Sequence, residues 1–299
     1  MNRFFAISKR VLMFLAINLL VVLTISLVLN LLNIPMTIGD GQTGLLIMCL
    51  IWGMGGAFIS LALSRFFARV SLGVQLIDPR QADGEARWLV QTVYDLAARA
   101  QIRKMPQVGI YNSPEVNAFA TGPTRNRALV AVSTGLLQRM DRREVEGVLG
   151  HEIAHIANGD MVTMTLIQGI VNAFVMFLAR IIASVVANGG NSDERRGGGF
   201  MYYMLVMAIE SVLMFLAMPL VMWFSRQREF RADRGGALFA GKDKMIAALR
   251  SLQRSQDLIL ADQASVATLK ISGKSRSWLA LFSTHPSLEE RIERLQRQA

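Results

Sequence analysis

The chain has 299 residues, 52% of them apolar and 18% charged, and carries a net charge of +10. Ordinary soluble domains run at roughly 45–50% apolar and about 25% charged, so the composition points to a membrane protein. The positive balance does not point to nucleic acid: of 32 Lys and Arg, only Arg180, Arg195 and Arg196 lie between the third apolar run and the end of the fourth. The others fall in segments that would share one side of a membrane, and no aromatic-interleaved basic strand or zinc-finger spacing accompanies them.

No charged residue occurs from Val11 to Ile38. A bilayer core takes about 20 helical residues, so a first span is expected over about 11–32. The stretch LNLLNIPMTIGDG offers no small-x-small exit, which favours an uncleaved span over a signal peptide. A second uncharged run, Gly41–Ser64, predicts a span over about 44–64 and holds the only cysteine, Cys49, which reads as a small buried hydrophobe. Arg3, Lys9 and Arg10 precede this hairpin and Arg65 and Arg69 follow it. Both of its ends are therefore expected in the cytoplasm.

Residues 65–160 read as water-exposed. A helix is expected around Glu85–Ala100, then short strands at Val108–Tyr111, Val116–Ala120 and Ala128–Val132. DRREVEGVLGHEIAHIA then turns to helical period, with Asp141 as N-cap and Glu144 as the reciprocal carboxylate three residues on.

Two further apolar runs, Met161–Ala187 and Phe200–Phe224, predict a second membrane hairpin over 161–224, with spans 161–187 and 200–224. Arg180 and Glu210 interrupt them, and a buried pair of core helices is the competing reading. The two charges flank the polar link NGGNSDERRGGG at similar distances, so in a hairpin they would meet at similar depth and neutralise each other. Residues 225–299 are polar and basic again, and QASVATLKISGKSRS (263–277) reads as a mobile loop.

His151 and His155 stand four apart, so their rings leave one helix face about a turn apart and can grip one ion. Glu152 is placed to take a proton from a water whose acidity the metal has raised. Zinc, one per chain, suits two imidazoles and a carboxylate. Only three histidines exist in the chain, and two fall at this spacing within an apolar helix, which argues against a chance His-Glu-x-x-His run. A metzincin would need Gly and His where this chain has Asn158 and Met161. SRQREFRAD instead places Glu229 and Asp233 one turn apart just after the fourth span. The hairpin 161–224 returns them to the level of the histidine helix. Glu229 can complete the ligand set, and Asp233 can accept a hydrogen bond from a ligand histidine. Alternatively both pair with Arg226, Arg228 or Arg231 on a helix surface.

In combination, GHEIAHIANGD, NAFATG, SRQREFRAD and THPSLEERIERL resemble the HtpX family of bacterial heat-shock membrane metalloproteases, gluzincins related to the CAAX-prenyl proteases. The resemblance implies His151, His155 and Glu229 as zinc ligands and Glu152 as the catalytic glutamate. It implies a substrate-pairing strand through Asn117, Ala118, Phe119 and Ala120. It also makes His285 and Arg291 candidates near the transition state, although His285 could equally be a helix-entry residue before Pro286.

The expected fold is therefore a mainly α integral membrane protein: four transmembrane helices (a hairpin within 1–64 and another in 161–224) and a cytoplasmic α+β zincin-like domain with a small sheet, built from 65–160 and 225–299. The expected function is a zinc endopeptidase of the bacterial inner membrane, with both termini and the active site cytoplasmic, acting on unfolded or damaged membrane proteins in stress-related quality control. Its expected surroundings are membrane lipid and other quality-control proteases. No phosphate-binding Gly-x-x-x-x-Gly-Lys loop is present, so energy for extracting substrates would come from a partner. The alternatives are a narrow processing protease of the CAAX-prenyl type and a non-catalytic scaffold with a structural metal. A structural zinc usually has four protein ligands and needs no neighbouring glutamate.

Overall fold

A computed structural model of the chain describes residues 41–188, 198–266 and 285–297. The expected first span, 11–32, lies outside the described residues. The chain divides into two compact units, Met1–Leu61 with Met164–Val221, and Ala62–Thr163 with Met222–Ala299.

Among the described residues, three helices are long and apolar enough to cross a membrane: Thr43–Leu72, Asp160–Ala187 and Phe200–Ala240. They belong to α1 (Gln42–Leu72), α5 (Asp160–Asn188) and α6 (Gly198–Ala240). At 1.5 Å per residue, the 43 residues of α6 run about 65 Å, roughly twice a hydrocarbon core. Its apolar stretch ends at Phe224 and the helix continues without a break through Glu229 and Asp233. In the first unit α1 and α5 approach closely through small residues. A Cβ on Gly53 would lie 2.5 Å from the backbone nitrogen of Ala173, the kind of contact that replaces hydrophobic drive in lipid. Arg180 donates to Glu210 at 2.8 Å, and Ile170, Phe174, Phe215 and Leu216 present apolar side chains outward.

The second unit is built on a four-stranded sheet in the order β1-β2-β4-β3. Its strands are β1 (Gln75–Leu76), β2 (Gln107–Tyr111), β3 (Ala118–Thr121) and β4 (Leu129–Ser133). β4 runs parallel to β2 and antiparallel to β3, with Ala118 opposite Val132 and Thr121 opposite Leu129. β3 is therefore an edge strand. Helices α2 (Gly84–Arg99), α3 (Thr134–Arg139) and α4 (Arg142–Asn158) bury their apolar faces on the sheet. Leu89, Val93, Leu96, Val130, Val132, Leu149, Ile153 and Ile156 share one core with them. α7 (Lys242–Val266) and α8 (Leu288–Arg297) complete the unit. α7 corrects the loop expected over 263–277: residues 263–266 finish this helix, whose run IAALRSLQRSQDLILADQA is made largely of strong helix formers. Residues 267–277 lie outside the described ones.

Candidate metal centre

The centre is positioned by α4. Asp141 accepts from Glu144 N–H and Glu144 answers the Asp141 N–H, a complete capping box that fixes where the helix begins. Gly159 ends it in the left-handed region, at φ 71°, where a side chain would be strained. Between those points Leu149, Ile153 and Ile156 anchor the inner face. The rings of His151 and His155 project together one turn apart, 4.6 Å between centroids.

The carboxylates arrive on α6 because the two helices meet almost backbone to backbone. A Cβ on Gly236 would lie 3.0 Å from the His151 backbone nitrogen, and one on Gly150 would lie 2.8 Å from the Ala240 methyl. This approach lets the short side chains of Glu229 and Asp233 reach the histidines. The two residues are 1% and 2% exposed.

Glu229 Oε2 stands 3.4 Å from His151 Nε2, Glu229 Oε1 stands 3.4 Å from His155 Nε2, and the two Nε2 atoms are 3.1 Å apart. Bonds of about 2.0–2.1 Å at tetrahedral angles put donor atoms about 3.3–3.4 Å apart. The triangle therefore has the dimensions of three ligands around one small divalent cation, and the three residues form a group able to hold a metal ion. The opposite ring nitrogens are held too: His151 Nδ1 is 2.9 Å from Asp233 Oδ1, and His155 Nδ1 is 2.7 Å from Asp160 Oδ2. Each carboxylate accepts a hydrogen bond from the Nδ1–H, which turns the lone pair of Nε2 toward the metal position.

Burial lowers the proton affinity of both imidazoles, but the carboxylates around them outweigh it. Asp233 and Glu229 leave His151 above its ordinary pKa, and Asp160 and Glu229 push His155 up to about 9. For Glu229 burial works against the charge. The surrounding imidazoles of His151, His155 and His285 reverse this and hold its carboxyl far below the usual range.

Beside the triangle lies a cavity of about 160 Å³. Glu152, Asn117 and Ala118 line it together with the three ligand candidates' neighbours His285 and Arg291. Asn117 is tied through its backbone to Ser133. Ala120 packs on the main core, while Phe119 turns to the other face of β3, against Tyr111. His285 Nδ1 is 3.1 Å from Glu229 Oε2, and the side chain is 60% exposed. Arg291 is buried and clamps Asp233 with two hydrogen bonds, at 2.8 and 2.6 Å, while its Nη1 is 3.9 Å from Glu229 Oε2. In this geometry it braces the carboxylate behind His151.

Arg228, expected as a possible partner of Glu229, does donate to Glu229 Oε1, at 3.1 Å, while Glu229 still faces both histidines. One participant escaped the sequence reading. Asp160 sits one residue past the helix-ending glycine and folds back onto His155. The signal was the Gly-Asp pair directly after the second histidine.

The model of peptidase family M48 matches residues 83–299. Protease HtpX of Idiomarina loihiensis is 53% identical over 291 residues, covering 97% of this chain and 99% of that protein. A protease HtpX homolog of Bacillus licheniformis is 49% identical over 299 residues, again covering 97% and 99%. The crystal structure of S. mikatae Ste24p shares the fold, with a TM-score of 0.68 at 17% identity. That likeness covers 97% of this chain, which spans 64% of the Ste24p chain.

Proposed function

The chain belongs to peptidase family M48 and is a membrane metalloprotease, and from that premise we propose a zinc endopeptidase of the bacterial inner membrane. It cuts misfolded or damaged membrane proteins at the cytoplasmic face as part of stress-related quality control. The observation that carries this reading is the triangle of His151, His155 and Glu229 with Glu152 on the same cavity.

Two imidazoles and one carboxylate suit zinc and leave a coordination position open. When bound, the ion supplies Lewis acidity, which acidifies water and polarises a carbonyl oxygen. The remaining steps belong to the chain. Asp233 and Asp160 hold the two rings in the tautomer that presents Nε2. The Glu152 carboxylate takes the proton of the attacking water and returns it to the leaving amine nitrogen. The free edge of β3, running from the cavity, can pair with an extended substrate through main-chain hydrogen bonds, which asks for no particular sequence. That suits an enzyme acting on many unfolded segments. The distribution of Lys and Arg supports a site on the cytoplasmic side.

The test is proteolysis of an unfolded protein by the detergent-solubilised enzyme, before chelation, after chelation and after zinc is restored. Activity should vanish with the metal and return with zinc. Undiminished cutting by the metal-free chain would overturn the zinc assignment. Wrong-side-out vesicles that cleave only substrate supplied to the lumen would overturn the orientation.

A further inference from the structure

We infer that the second unit carries a binding pocket for the head group of an anionic phospholipid, adjoining the metal centre and sharing Asp233 and Arg291 with it. A cavity of about 470 Å³ opens where α6 leaves its apolar stretch, within the roughly 300–1,000 Å³ typical of small-ligand sites. Four guanidinium groups line it, from Arg231, Arg234, Arg291 and Arg294, against a single carboxylate, that of Asp233. Asp233 is already consumed by Arg291 and His151. Arg294 is paired with Glu290 at 3.1 Å, and Arg231 lies 4.0 Å from Asp160, so the positive excess of the cavity is carried chiefly by Arg234 with the partly exposed Arg231 and Arg294. Arg234 forms no ion pair with any described residue, and Arg294 is fixed in place by stacking on Phe230, 3.6 Å from the ring centroid. Such a cavity suits an anion. Guanidinium forks match a phosphate's oxygens in pairs.

The floor of the cavity identifies the phosphate's carrier. It is lined by Trp223 and Phe224, the last residues of α6 before Ser225 and Arg226 end the apolar run. Tryptophan at the end of a span marks the head-group level. Arg231 lies eight residues on, about 12 Å along the helix axis, but helical side chains lean toward the N-terminus. The arginines thus reach back toward the level of Trp223, as their shared cavity requires. A soluble phosphate would have no use for the indole and phenyl floor, whereas a glycerophospholipid places its phosphate and its glycerol at that junction.

The experiment uses the full chain in phosphatidylcholine vesicles doped with brominated phosphatidylglycerol or brominated phosphatidylcholine. The quenching of Trp223 is read as the difference between the native chain and W223F. Brominated phosphatidylglycerol should quench Trp223 at a lower mole fraction than brominated phosphatidylcholine. A cation near an anionic lipid surface contributes about fivefold in affinity, so R234Q/R294Q should weaken the preference roughly thirtyfold. R234K/R294K should keep most of it, and R65Q/R69Q, which removes as much charge at the end of another span, should weaken it far less. Inorganic phosphate should not displace the lipid. Equal quenching by both lipids in the native chain would overturn the proposal, as would a preference that survives R234Q/R294Q or that falls equally in R65Q/R69Q. Displacement by inorganic phosphate would assign the pocket to a soluble anion instead.

Discussion

Asp160 Oδ2 accepts the Nδ1 proton of His155 at 2.7 Å, across the turn made by Gly159. His151 has its counterpart in Asp233, so both candidate ligand rings are held from behind by a carboxylate. Partners of this kind typically contribute about 10–100-fold to metal affinity. Asp160→Ala should lose that much, measured by zinc titration against a competing chelator. Asp160→Asn should recover part of it, because the amide oxygen still accepts from Nδ1. Native affinity in Asp160→Ala would show that His155 needs no such support.

The close crossing of α4 and α6 leads to a second prediction. A methyl group on Gly236 meets the His151 backbone nitrogen at 3.0 Å and Met245 Sδ at 2.8 Å. The thioether can swing away, but the helix backbone cannot. Gly236→Ala should therefore push the helices apart and cost about 1–3 kcal/mol, the usual range for overpacking. Because the displaced atoms carry His151, zinc affinity should fall along with the melting temperature. A stability loss with unchanged zinc affinity would show that the centre tolerates the shift.

The pKa of His155 predicts the pH dependence of metal uptake. In the folded metal-free chain it is raised to about 9, above the roughly 6.5 of an unfolded histidine. The raised value stabilises the metal-free fold fully below about pH 6.5, and this contribution is lost as pH rises through about 9. A metal ion needs the neutral ring, so binding must expel this proton. Zinc added at pH 7 should release protons into a weak buffer. Apparent affinity should rise by up to about tenfold per pH unit until about pH 9. A pH-independent affinity between 7 and 9 would contradict the assignment.

In the first unit, Arg180 and Glu210 meet at 2.8 Å. An unpaired charge at the centre of a span costs about 2.5–3.5 kcal/mol on insertion scales. R180E and E210R each place like charges together and should lower the yield of folded protein in the membrane. The double swap R180E/E210R restores the pair and should recover most of it. Additive losses would show that the two side chains do not interact in lipid.

Much of this architecture was legible because its causes are local. The capping box of Asp141 and Glu144, the four-residue spacing of His151 and His155, and the long apolar runs are all written within a turn or a helix. Other features depend on distant partners. β1 is two residues long and exists only because β2 offers it an edge. That β3 is the outer strand follows from β4 pairing with β2, which no spacing announces. Arg291 resembled a group that meets the reacting atoms, yet its guanidinium is engaged by Asp233, 58 positions away in sequence. The pocket of arginines was equally hidden, because α8 supplies Arg291 and Arg294 to the flank of α6.

The most direct test of the central claim is the Glu152→Gln variant, assayed for cleavage of an unfolded protein with bound zinc quantified in the same sample. The substitution keeps the size of the side chain and leaves His151, His155 and Glu229 in place, but the amide cannot take a proton. The account predicts a variant that retains about one zinc per chain, as three protein ligands at one centre imply, and has lost at least about a hundredfold in rate, the low end for general acid–base catalysis. A zinc-loaded variant that cuts as fast as the native chain would contradict it.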